Sequence, residues 1–139
     1  MSGRKSRSKG ARFEREVARA IREALGVELK RELDQYQERG LGDLRGWDGV
    51  LVECKRYADA TTGQVDAWWD ETIAEADAAK RAPVLIYRLD RKPVRVRLAL
   101  GDIMPSFFGT AEHNSPIEVD FDTFVAIARE RYLGHVAVA

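Results

Sequence analysis

Three acidic residues and one lysine form the pattern most suggestive of chemistry: Glu14, Asp43, Glu53 and Lys55. The segment 51–55 reads Leu-Val-Glu-Cys-Lys, an apolar stretch with a carboxylate and an amine two positions apart. If it is a strand, both charged side chains project from the same face of a sheet. Charges in apolar surroundings are costly unless they are paired or bound to a metal. The pattern therefore indicates a divalent-cation site that hydrolyses phosphodiester bonds.

Carboxylate oxygens are the ligands that Mg²⁺ prefers, and Mn²⁺ is the expected substitute. We expect Asp43 and Glu53 to be direct ligands, with the backbone carbonyl of Cys54 as a third oxygen. Glu14 is expected to approach from a helix as a further ligand, either directly or through water. Such an ion supplies a nucleophilic water and offsets the charge of the attacked phosphate.

Two further residues complete the candidate catalytic set. Lys55 is placed to orient the attacking water and to stabilise charge on the phosphate. Gln64, at the start of the following helix, is a candidate to hydrogen-bond the water or a phosphate oxygen.

Each candidate also has a purely structural interpretation. Glu53 and Lys55 would then form an ion pair on an exposed strand, and Glu14 would be a half-buried acid paired with Arg12 or Arg31. Gln64 would be an ordinary surface residue. Cys54 is interpreted as a small buried hydrophobic residue, not as a nucleophile.

The loop between the two acidic strands decides whether Asp43 and Glu53 can share a metal. Segments 43–46 and 50–55 are typical of a β-hairpin around Trp-Asp-Gly. A two-residue turn would put Asp43 on the opposite face from Glu53, whereas a three-residue loop with Gly49 left-handed sets the two acids opposite each other. We therefore predict the longer loop or a bulge.

A helix is predicted from a cap at Ser8 to Leu25, preceded by a mobile basic arm over residues 1–9. At ~100° per residue, Glu14 falls inside its apolar arc, next to Ile21. Further strands are predicted at 27–33, 83–89 and 93–100. Further helices are predicted from 61 or 62 to 80 and at 121–132, the last capped by Asp120 or Asp122. The stretch 101–116 is expected to be irregular, with room for one short helical turn.

The 139 residues fit a single domain, with 45% hydrophobic and 33% charged residues and a single cysteine. This composition is typical of a globular protein in a reducing compartment. No membrane span or secretory signal is recognised, so we expect the cytoplasm, and the host cytoplasm if the gene belongs to a phage.

The formal net charge is zero, but the basic residues are clustered. A neutral total can conceal a basic face, which is what contacts phosphates. In the alternative interpretation, these bases belong to a solvated tail and a basic hairpin that bind no ligand. The candidate DNA-binding residues are Arg4, Lys5, Arg7, Lys9, Arg12, Arg31, Arg88, Arg91 and Lys92.

These motifs resemble the PD-(D/E)XK nuclease superfamily and, more closely, its archaeal-type and phage-encoded Holliday junction resolvases. The resemblance spans roughly residues 8–100 and rests on four segments: 9–16 (KGARFERE), 42–44 (GDL), 52–55 (VECK) and 68–88, from Trp-Trp to Ala-Pro-Val-Leu-Ile-Tyr-Arg. Gly42 stands where the superfamily has a proline, a replacement we expect to be harmless.

The resemblance implies an α/β fold with a central mixed sheet flanked by helices and an αβββαβ core like that of restriction endonucleases. It also implies a Mg²⁺-dependent endonuclease that acts as a homodimer on branched DNA such as a four-way junction. Two alternatives stay open: a nuclease of the same type that cuts duplex or flap DNA, and a non-catalytic DNA-binding module whose acidic cluster is structural.

Overall fold

The computed structural model describes residues 2–31 and 42–133, with side chains from residue 8 onwards. Its helices are α1 (Ser2–Leu25), α2 (Thr62–Ala79), α3 (Leu100–Ile103) and α4 (Phe121–Arg131), with a short 3-10 turn at Pro105–Phe107. Its strands are β1 (Lys30–Arg31), β2 (Leu44–Arg45), β3 (Val50–Tyr57), β4 (Ala82–Leu89), β5 (Arg95–Ala99) and β6 (Pro116–Asp120).

The six strands form one mixed sheet in which spatial order follows chain order, from β1 to β6. Strands β3 and β4 are parallel and are joined by α2, whereas the other neighbours are antiparallel. A parallel pair requires a crossover connection, which α2 provides. The predicted α/β class and the predicted αβββαβ order are both confirmed.

One face of the sheet is covered by α1 and α4. The apolar stripe of α1 predicted from its spacing is buried there through Phe13, Val17 and Ile21. From α4, Phe124 and Ala128 complete this layer. The facing strand residues are Val50, Val52, Cys54, Val84, Ile86, Val96 and Leu98.

The opposite face is covered by α2, through Val65 and Trp69 packed on Leu85 and Tyr87. Thr61 is the N-cap of α2, as the sequence predicted, and its side chain accepts a hydrogen bond from the Gln64 backbone N–H. Because side chains alternate along β3, residues 53, 55 and 57 project towards this α2 face, while 50, 52 and 54 project towards α1.

The hairpin register agrees with the three-residue loop. Leu44 is paired with Val52, as a three-residue loop requires, and the Asp43 N–H donates to the carbonyl of Val52, the residue before Glu53. Gly49 has a φ of 77° and the Val50 N–H donates to the Trp47 carbonyl at 3.2 Å. The left-handed glycine that the sequence analysis required is therefore present.

The remaining elements differ from prediction at three places. Helix α1 begins at Ser2, so the segment predicted as a mobile arm is helical and Ser8 lies inside the helix instead of capping it. The strand predicted at 27–33 is reduced to Lys30–Arg31 within the described residues. The segment 101–116 holds two helical turns, and it is followed by β6, a strand that the sequence analysis missed.

No helix in the ranges 2–31 and 42–133 is long and apolar enough to cross a lipid bilayer.

Candidate active site

The β2–β3 hairpin holds Asp43 directly beside Glu53. The Asp43 N–H donates to the Val52 carbonyl at 3.0 Å, and its carboxylate Oδ2 accepts from the Cys54 N–H at 2.9 Å. These two bonds anchor Asp43 to β3 on either side of Glu53, and the Asp43 charge acts on the Glu53 carboxyl group.

Glu53 is an acid whose surroundings disfavour its charged form. Burial is the main cause that raises the pKa of Glu53, and the neighbouring carboxylates of Asp43 and Glu75 raise it further. Ionising these acids together without a counter-charge is unfavourable, which is the electrostatic condition that a bound cation relieves.

Helix α2 supplies neighbours for Glu53 and Lys55 of β3. Lys55 Nζ lies 3.8 Å from a carboxylate oxygen of Glu71, while Glu53 meets Glu75. Residues 71 and 75 are four apart and so share one face of a helix. The Glu53–Lys55 ion pair of the structural interpretation is not what the structure shows, because each residue is paired with α2 instead.

Glu14 lies on α1 with its carboxylate held by Arg31. Arg31 Nε donates to Glu14 Oε1 at 2.7 Å, and the Glu14 side chain is only 20% exposed. Burial raises the pKa of Glu14, the Arg31 hydrogen bond opposes that effect, and the Asp43 charge adds to it. The structure thus forms the ion pair foreseen for Glu14. Because the Asp43 charge acts on the Glu14 carboxyl group, Glu14 also lies near the hairpin.

Gln64 and Cys54 serve the local structure. The Gln64 side-chain oxygen accepts from the Thr61 N–H at 2.7 Å, which completes a capping box at the start of α2. Gln64 is exposed and belongs to this cap, so its predicted contact with water or phosphate stays a prediction. The Cys54 thiol is buried, and burial raises its pKa, in keeping with a small core residue.

A concave cavity of about 540 Å³ opens beside these residues. Among its lining side chains it gathers acids from α1 and β2 and bases from α1 and β3. Glu53 and Gln64 are not among the described residues that line it. We call it the site cavity; its lining residues are Lys9, Gly10, Glu14, Asp43, Cys54, Lys55, Arg56, Tyr57, Ala58 and Asp59.

The two basic segments of the sequence meet at one rim of the site cavity. Asp90, in the turn between β4 and β5, pairs with Lys9 at 3.1 Å and with Arg56 at 2.7 Å. This junction brings the first half of α1 next to the β4–β5 turn. The bases that flank it, Arg88, Arg91 and Lys92, therefore lie close to the cavity and not on a remote face.

The other predicted DNA-binding residues divide into three groups. Arg12 is exposed on α1, as are Arg91 and Lys92 in the turn. Arg31 is engaged by Glu14. The side chains of Arg4, Lys5 and Arg7 fall outside the described part of the structure.

The donor set fits a hard divalent cation by its chemistry, because the carboxylates of Asp43 and Glu53 lie close enough for the Asp43 charge to raise the pKa of Glu53. Within residues 2–31 and 42–133, however, no three acidic, histidine or cysteine side chains stand arranged to enclose a metal ion. Asp43 and Glu53 are adjacent, while Glu14 is turned to Arg31. A third protein ligand therefore requires Glu14 to exchange its partner, or the Cys54 carbonyl to contribute.

Sequence reasoning missed Glu75, Arg56 and Tyr57. The spacing of Glu71 and Glu75 could have indicated their position, since two acids four residues apart on a helix share one face and can meet a Glu-x-Lys pair on a strand. Arg56 and Tyr57 directly follow the motif, but their place at the rim depends on the pairing of β3 with β4, which local sequence does not reveal.

A family model of nucleases matches this chain, and one solved structure is similar in fold. The family model described as "Phage putative PDDEXK endonuclease" matches residues 5–131. Among solved structures, Hjc of Archaeoglobus fulgidus, a Holliday junction resolvase from an archaeal hyperthermophile, is similar with a TM-score of 0.45 and 15% identity, covering 83% of this chain and 91% of that chain. No curated protein matches the sequence significantly.

Proposed function

Because the chain belongs to the phage putative PDDEXK endonuclease family, we propose that this nuclease is a Mg²⁺-dependent endonuclease that cuts branched DNA, such as a four-way junction, as a homodimer. The observation that supports it most directly is the hairpin that holds Asp43 against Glu53, with Lys55 on the same strand, beside a cavity with a basic rim.

Asp43 and Glu53 would hold the ion, and Glu14 or the Cys54 carbonyl would complete its protein ligands. A bound Mg²⁺ supplies a nucleophilic water and offsets phosphate charge. Lys55 lines the site cavity, where its ammonium stabilises the charge that develops on the phosphate. Glu75 of α2 lies beside Glu53 and raises its pKa, an effect that a bound cation would offset.

The preference for branched DNA rests on the basic rim. Lys9 and Arg56 are fixed by Asp90, and the exposed bases of the β4–β5 turn lie beside them. Phosphate contacts of this kind report the position of strands, not their base sequence. The arms of a junction present phosphates at fixed spacing, so a rigid basic surface can select them by shape.

The test is a cleavage assay on a synthetic four-way junction, a flap and a linear duplex, with Mg²⁺, with Mn²⁺ and with EDTA. We expect Asp43→Asn, Glu53→Gln and Lys55→Ala each to slow cleavage by about 10²- to 10⁴-fold. DNA binding should persist, because loss of a carboxylate also removes repulsion of the phosphate.

Asp70→Asn is the matched control, since it makes the same charge change at an exposed position on α2. DNA binding that needs no metal, tolerates Glu53→Ala and is accompanied by no cleavage would leave only a DNA-binding module. Paired symmetric nicks on the junction support the resolvase, whereas equal cutting of duplex or flap DNA favours the alternative nuclease. Sedimentation analysis of the free protein tests the homodimer separately.

A further inference from the structure

Tyr57 is a large side chain that remains exposed at the site cavity. It is the last residue of β3, two positions after Lys55 and on the same face of the strand. Although its ring packs on the protein, 47% of the residue is accessible to solvent. A single exposed aromatic ring is common on protein surfaces, so the contacts and position of Tyr57 decide what it can bind.

The ring of Tyr57 is supported from below by a stack of aromatic side chains. Trp68 of α2 lies against it with 4.9 Å between ring centroids and an interplanar angle of 23°. Trp68 in turn meets Tyr87 edge-on at 5.9 Å, and Tyr87 is buried with its hydroxyl donating to Glu118 at 2.9 Å. Trp68 therefore covers one face of the Tyr57 ring, and the solvent-accessible area of Tyr57 lies on the part that Trp68 leaves uncovered.

The backbone under the ring is also held in place. Arg56 Nη1 donates to the Tyr57 carbonyl at 2.8 Å while it pairs with Asp90 at 2.7 Å. The Asp90 N–H donates to the Ala58 carbonyl at 3.1 Å. A platform fixed in this way loses little conformational entropy when a ligand binds.

The chemistry of the site cavity identifies the occupant. Tyr57 lines the same cavity as Asp43, Lys55 and Arg56, so a strand whose phosphate is attacked there passes the ring. Stacking on an aromatic side chain needs a free base face, and inside a duplex both faces are occupied by neighbouring bases. A base at a branch point, a flap or a frayed end has such a free face.

We propose that Tyr57 is a stacking platform for an unpaired nucleobase of the strand that enters the site cavity. The inference rests on the proposed function, because the nuclease brings that strand to the cavity. It adds a base-binding subsite to the phosphate contacts and gives a physical reason why branched or frayed DNA is preferred to duplex. Trp68 supports the platform and does not itself contact the base.

The test compares Tyr57→Leu, which keeps an apolar side chain without a π face, with Tyr57→Phe, which keeps the ring. Affinity is measured by fluorescence anisotropy in Ca²⁺ for a flap with an unpaired thymine and for a fully paired duplex. We expect Tyr57→Leu to weaken flap binding by about 5- to 100-fold, the range for one stacked base. Duplex binding should change less than about 2-fold, and Tyr57→Phe should resemble the wild type on both.

Phe108→Leu is the control, since Phe108 is an exposed aromatic residue (72%) that does not line the site cavity. A flap carrying 5-iodouracil at the unpaired position should cross-link to Tyr57 on irradiation. Near-UV circular dichroism confirms that the variants are folded. Equal loss on flap and duplex, no loss on either, or a changed oligomeric state with unchanged flap preference would each overturn the subsite.

Failure of the subsite and failure of the nuclease are distinguishable. If the wild type binds flaps through Tyr57 but cuts no DNA in Mg²⁺ or Mn²⁺, the subsite stands and the proposed hydrolysis falls. If the wild type cuts DNA and Tyr57→Leu keeps the wild-type ratio of flap to duplex cleavage and binding, the subsite falls while the nuclease stands.

Discussion

At the scale of single residues, Gly42 is the neighbour that permits Asp43 to reach its position. Gly42 has a φ of 83°, and a Cβ built on it would lie 2.7 Å from the Val52 carbonyl oxygen. Proline, whose φ is held near −65°, cannot adopt this conformation. The glycine is thus a requirement of this hairpin as it is folded here, and the expectation that it replaces the superfamily's proline harmlessly stays a prediction.

We predict that Gly42→Ala destabilises the protein more than Gly49→Ala. Gly49 also has positive φ but open space around its Cβ, so alanine there costs about 1–2 kcal/mol for the left-handed conformation alone. Gly42→Ala adds the collision with Val52. Urea denaturation measures both, with Gly10→Ala in α1 as a control that should be neutral or stabilising by roughly 0.5–1 kcal/mol. Equal losses for Gly42→Ala and Gly49→Ala would contradict the role of the close contact.

The residue scale also shows what the sequence could predict. The alternation in β3 and a left-handed Gly49 were sufficient to predict that Asp43 lies beside Glu53. The Glu14–Arg31 pair was foreseen as the structural interpretation of Glu14, with Arg12 as the other possible partner. Gly42 could not be interpreted in advance, since its conformation depends on where the carbonyl of another strand lies.

At the scale of elements, β6 is the strand that local sequence did not reveal. Its five residues include proline and two acids, a poor strand pattern on its own. What attaches it is non-local: Glu118 accepts hydrogen bonds from Arg97 at 2.8 Å, from Tyr87 at 2.9 Å and from Arg95 at 3.2 Å. One carboxylate of β6 therefore satisfies three donors from β4 and β5.

These contacts predict a pH-dependent stability. Desolvation acts to raise the pKa of Glu118, but the hydrogen bonds from Arg97, Tyr87 and Arg95 outweigh it, so the folded-state pKa is lowered. A carboxylate whose pKa is lowered in the folded state stabilises the protein at pH values above its unfolded-state pKa of about 4.3. This stabilisation is lost as the pH falls through the folded-state pKa. Glu118→Gln should therefore destabilise the protein at pH 6–8, by an amount that shrinks below about pH 4.

Thermal unfolding of wild type and Glu118→Gln across pH 3–8 measures this difference. Glu130→Gln, the same charge change at an exposed position of α4, serves as the control and should show no such trend. A destabilisation by Glu118→Gln that stays constant down to pH 3 would mean that the ionised carboxylate is not what joins the strands.

At the scale of the whole molecule, α4 is tied to both the hairpin and α1. Trp47 in the hairpin loop packs against Phe124 at 6.1 Å and Tyr132 at 6.2 Å between ring centroids, and its indole N–H donates to the Tyr132 carbonyl at 3.4 Å. Arg129 donates to the Ala24 carbonyl at the end of α1 at 3.1 Å. The final helix was predicted from its amphipathic pattern, but these partners depend on the assembled sheet.

We predict that Phe124→Ala costs about 3–5 kcal/mol of unfolding free energy, because its side chain is fully buried and leaves a cavity. Phe108→Ala should change stability by less than about 0.5 kcal/mol, since Phe108 is exposed. Chemical denaturation of both variants provides the measurement. A cost for Phe124→Ala no larger than that of Phe108→Ala would contradict the placement of α4 in the core.

The sheet has a consequence for how the protein is made. Its strands lie side by side in the order in which they are synthesised, so each new strand leaving the ribosome meets a partner that has already emerged. The exception is α4, which packs on α1, an element synthesised before all six strands. Assembly can therefore proceed vectorially up to β6, and the apolar flank of α1 that α4 covers stays exposed until α4 has been synthesised.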